Sequence, residues 1–117
     1  MHVVEEHHRF DKLLRKYYCD HQMIRELLKI LIRDLPKSLH ELEVGLMETN
    51  VVKVQKAAHS VANISGTVLE SEILDLARRV EYASASQNLK EVELYLQPLR
   101  ERVIELCVDA GKFIHVS

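Results

Sequence analysis

Leucine and isoleucine recur at steps of three and four from residue 24 to residue 46: Ile24, Leu28, Leu31, Leu35, Leu39, Leu42 and Leu46. A helix turns about 100° per residue, so these steps put all seven on one face, which the alternation of a strand does not. The spacing predicts a helix over about 20–47. Asp20 is its expected N-cap, because a carboxylate can accept a backbone N–H that the first turn leaves free. Pro36 lies inside the run. It removes one donor and crowds the carbonyl of Ile32, which predicts a kink rather than a stop.

Three more stripes follow. Asn50 is the expected cap of a helix over about 51–69, and Ser71 of one over about 72–86 with Ile73, Leu76, Ala77 and Val80 inward. Asn88 and Glu91 have the spacing of a capping box before a helix over about 89–110. Its seam is Leu89, Val92, Leu96, Leu99, Val103, Leu106 and Ala110; Pro98 falls off the seam, and Gly111 stands where a C-terminal cap belongs. A leading helix over about 4–18 carries Phe10, Leu13, Leu14 and Tyr17 on one side. Links of two to four residues force neighbouring helices to run antiparallel. The expectation is one all-α domain over 1–117: an antiparallel up-down four-helix bundle with a short additional N-terminal helix.

Composition narrows the function classes. Three Gly and two Pro in 117 residues are too few for the turns of a sheet protein. Cys19 and Cys107 stand far apart with no CxxC, so neither a disulfide framework nor a cysteine zinc site is expected. That usage suits a reducing, cytoplasmic compartment. No run of eighteen apolar residues exists, so no membrane insertion is expected, and the opening MHVVEEHHRFDK does not read as a secretory signal. Net charge is −2 with acids and bases interleaved, against the basic stripe of a nucleic-acid binder. A di-iron bundle needs paired Glu-x-x-His motifs; only the segment Glu5–His8 offers one, within the leader.

Seven histidines remain to be sorted. Along 51–69, Val54, Ala57, Ala58, Val61, Ile64, Ser65 and Val68 cluster in one arc, which leaves His59 pointing outward. Gln55, Asn63 and Gly66 share its outward face, Lys56 and Val52 lie beside them, and Ala62 flanks it. A mid-helix Gly costs about 1 kcal/mol relative to Ala. Gly66 therefore serves either to clear the way for a partner's backbone near His59, or to loosen the helix end or admit close helix packing elsewhere.

The stretch AAHSVANISGTVLESEILDLARRVE, from Ala57 to Glu81, resembles the histidine phosphotransfer (HPt) signature without a gap. Ala58, His59, Ser60 and Val61 match its opening, Ser65 and Gly66 its small positions, Val68 the next apolar one, and Ile73, Leu76, Ala77, Val80 and Glu81 its second helix. The resemblance implies a phosphorelay intermediate rather than an enzyme with its own kinase domain. His59 would take a phosphoryl group from a receiver-domain aspartate and pass it to another receiver. Response-regulator receiver domains are the implied partners, with a hybrid sensor kinase as a further candidate; no cofactor is implied here, Mg²⁺ belonging to the receiver. A neutral imidazole, of ordinary pKa about 6.5, is a competent nucleophile at cellular pH. Glu81 would hold the other ring nitrogen. Where the family has Lys, Gly and a turn Gly, this chain has Ala62, Asn63 and Leu69. Lys56, one turn before His59, is the candidate replacement cation, and Val52, Gln55, Ala62, Asn63 and Gly66 form the expected approach surface. The alternative is an HPt-like adaptor that binds a receiver or other protein without carrying phosphate.

Overall fold

The computed structural model describes residues 9–116, and every regular element among them is helical. The helices are α1 (Asp11–Lys16), α2 (His21–Met47), α3 (Val51–Thr67), α4 (Ser71–Ala85) and α5 (Leu89–Val116). The expected leader began near residue 4; its first part, with Glu5–His8, lies outside the described residues. No described helix is long and apolar enough to cross a membrane.

Packing follows the predicted stripes. Ile24, Leu28, Leu31, Leu35, Leu39 and Leu42 are buried on α2, and Val92, Leu99, Val103, Leu106 and Ala110 on α5. From the shorter helices come Val54, Val61, Ile73, Ala77 and Val80. α2 packs against α3 and α5, and α4 packs against the same two, so the contacts close a ring around one core. Both Pro36 and Pro98 sit inside unbroken helices.

The links between the long helices share one construction. Each helix ends in a C-cap, one left-handed residue, and a third residue that is also the next helix's N-cap. The left-handed positions are Thr49 (φ 54°), Leu69 (φ 61°) and Gln87 (φ 60°). The following N–H reaches back five residues, from Asn50 to Gly45 (2.8 Å), Glu70 to Ser65 (2.9 Å) and Asn88 to Ala83 (2.8 Å). These bonds close the carbonyls that a helix end leaves open. Asp20, Asn50 and Asn88 then accept from the N–H three residues on.

Three local expectations are corrected. Ser71 is the first residue of α4 and its N-cap is Glu70, which makes no capping bond. The Glu70 carboxylate is instead held bidentately by Arg9, at 2.8 and 3.2 Å, and Arg9 also reaches Asp109 at 3.1 Å. The Asn88–Glu91 box is one-sided, since the Asn88 N–H is already bonded to Ala83. Finally, α5 does not stop at Gly111 but runs to Val116. Burial of Phe113 rewards the extra turn: it meets Phe10 edge-on at 5.5 Å and stacks on His21 at 5.9 Å.

Candidate functional site

α3 lies between α2 and α4, so its buried arc is wide and its outward face narrow. His59 stands on that face, with its side chain 62% exposed. Its Nδ1 is 2.9 Å from Oε2 of Glu81, which projects from α4 and is 28% exposed. An ionised carboxylate can only accept, so Nδ1 carries the proton and donates. In the neutral ring Nε2 then holds the lone pair, and it bonds to no described residue. The site thus presents an outward imidazole with Nδ1 engaged by Glu81 and Nε2 open.

Two contacts set how α4 lies against α3. His59 meets Glu81, and a Cβ built on Gly66 would meet Leu74 at 3.8 Å. Moving seven residues forward on α3 moves seven back on α4, so the two run antiparallel, and residue 78 falls opposite residue 62. That Cβ distance is ordinary van der Waals contact. Helix packing therefore does not require glycine at 66, which leaves clearance for a partner and a loosened helix end as its explanations.

The other expected surface residues divide. Val52, Lys56 and Asn63 are exposed, and Gln55 and Gly66 are partly exposed. Lys56 has no ion-pair partner among the described residues. Ala62 is a correction: it is 4% exposed and belongs to the core, not to the approach surface. The apolar arc read from periodicity stops short of position 62, whereas packing on both α2 and α4 extends burial to it. Beneath the face, the hydroxyls of Ser60 and Ser38 lie 2.8 Å apart and tie α3 to α2.

Sequence reasoning did not single out Arg78. It lines a shallow groove of about 290 Å³ with Gln55, Glu81, Tyr82 and Ala85, beside the His59–Glu81 pair. The signal was present: Leu74, Arg78, Glu81 and Ala85 repeat at helical spacing, on the face of α4 that meets the outer edge of α3. No group of three or more His, Cys, Asp or Glu among the described residues could hold a metal ion. Comparison with known families, with curated proteins and with solved structures found no match to this chain.

Proposed function

We propose that the chain is a phosphocarrier of the histidine phosphotransfer kind. In this reading α2–α5 form an antiparallel up-down four-helix bundle with α1 packed on it, and His59 accepts a phosphoryl group from a receiver-domain aspartate and hands it to another receiver. The supporting observation is an exposed imidazole whose Nδ1 is committed to Glu81 while Nε2 is open. The lone pair of Nε2 attacks phosphorus, the P–O bond breaks with its electrons leaving on the aspartate carboxylate, and an N–P bond forms. The ring becomes cationic, and Glu81 stabilises it through the Nδ1 proton. Return of the group reverses each step. The receiver supplies the aspartate and its Mg²⁺; this chain supplies a nucleophile held in place, so positioning dominates its contribution. Such a role goes with a cytoplasmic location.

A non-transferring adaptor is the second reading, favoured by Asn63, which is exposed one turn from His59 and adds bulk where a partner would approach. One experiment separates them. The wild type should take label from a phosphorylated receiver, and the label should be lost in acid and survive base, as a phosphoramidate does. His59→Gln should take none while keeping its helical circular dichroism. Binding of the receiver without any label on the wild type would establish the adaptor instead.

A further inference from the structure

The groove beside Glu81 contains a cation with nothing to hold. Arg79, its neighbour in sequence, is paired with Asp75 at 3.0 Å, and Arg102 with Glu72 at 3.0 Å. The two carboxylates three residues from Arg78 on α4 are both engaged, Asp75 by Arg79 and Glu81 by His59. Arg78 also borders the adjoining groove, where Asp75 is already taken by Arg79 and where Glu91 of α5 makes no ion pair with Arg78. It is exposed, and it has no ion pair or hydrogen bond among the described residues.

We infer that Arg78 is the anion-holding residue of this site, gripping phosphoryl oxygens while Nε2 of His59 reacts. The inference rests on the reading of His59 as a phosphate carrier. Its physical basis is charge balance. Glu81 puts a negative charge against the reacting ring, which opposes the approach of any phosphoryl anion. The guanidinium one turn from Glu81 on the same helix, lining the same groove, offsets that charge, and its planar fork of donors matches phosphoryl oxygens. Antiparallel register sets Arg78 opposite position 62, where the buried Ala62 offers no charge of its own.

The test needs no cognate partner. Ammonium phosphoramidate transfers a phosphoryl group to imidazole: its P–N bond breaks, ammonia leaves, and the Nε2–P bond forms. Labelling is followed by intact mass in the full chain, with His59→Gln marking the site. Arg78→Ala should slow labelling about tenfold, about 1.4 kcal/mol in barrier. Arg78→Lys should recover part of that rate. Raising salt should slow the wild type and should not slow Arg78→Ala, where only the repulsion from Glu81 is left to screen, a difference that loss of structure would not produce. Thermal melting should stay the same, because Arg78 is exposed and unpaired. Labelling of Arg78→Ala at the wild-type rate, with wild-type salt dependence, overturns the inference and leaves the His59 reading intact. Absence of label on His59 in the wild type overturns both.

Discussion

At the scale of single residues, the left-handed positions show where this chain carries strain. An L-residue at positive φ costs roughly 1–2 kcal/mol, because Cβ crowds the neighbouring carbonyl. Glycine would avoid that cost, yet none of the three glycines has a positive φ. Leu69 is the clearest case, because at 38% exposure its side chain contributes little to the core. Leu69→Gly should raise stability by about 0.5–1 kcal/mol, the relief of strain less the extra freedom glycine gives the unfolded chain. Chemical denaturation measures this directly. A lower midpoint would mean that Leu69 contributes more by packing over the α3–α4 link than it loses in strain. The same residue shows a limit of pattern reading. Periodicity carries the expected helix over 51–69 to Leu69 and does not reveal the sign of its φ; only the resemblance, which has a turn Gly at this position, points to it. His59 was legible for the opposite reason: its direction follows from periodicity alone.

Among the elements, glycine again separates two roles that look alike in sequence. Gly45 and Gly66 are both inside helices, and replacing either by Ala should gain up to about 1 kcal/mol of helix propensity. Their surroundings differ. A Cβ at Gly45 would lie 3.0 Å from the backbone N of Val54 and 3.1 Å from its Cγ2, at the crossing of α2 and α3. Backbone in the first turn of α3 cannot easily give way, so overpacking of about 1–3 kcal/mol should win. Gly45→Ala should be destabilising by about 1 kcal/mol and Gly66→Ala stabilising by about 0.5–1 kcal/mol. If glycine at 66 serves a partner's approach, Gly66→Ala should also slow uptake from a phosphorylated receiver and leave phosphoramidate labelling unchanged. Equal rates from both donors would remove Gly66 from the approach surface. Helix positions and caps at Asp20, Asn50 and Asn88 were legible because they depend on neighbours within one turn. The close approach at Gly45, the burial of Ala62 and the groove holding Arg78 were not, because each is created by a second helix.

For the whole molecule, the question is how far stability and site chemistry can be separated. The described residues extend 46 × 26 × 20 Å, and α1 packs on α2, with Lys12 by the α3–α4 link. Lys12 shares a surface groove with Gly66, Leu69 and Glu70, while Arg9 joins Glu70 to Asp109. Phe10 anchors this assembly: it is 1% exposed and meets Phe113 at 5.5 Å. Gly66 lies seven residues beyond His59, about 10 Å along the helix axis. Phe10→Ala deletes a buried ring and leaves a cavity, a change that costs about 3–5 kcal/mol. That is a large share of the roughly 5–15 kcal/mol that holds a domain of this size. Melting should therefore fall by ten degrees or more. His59 and Glu81 touch none of these groups, so their hydrogen bond should persist in the molecules that remain folded. Phosphoramidate labelling, corrected for the folded fraction at low temperature, should then match the wild type. A corrected rate that falls in step with stability would show that α1 acts on the orientation of α3 against α4. The leader would then be part of the site as well as part of the fold.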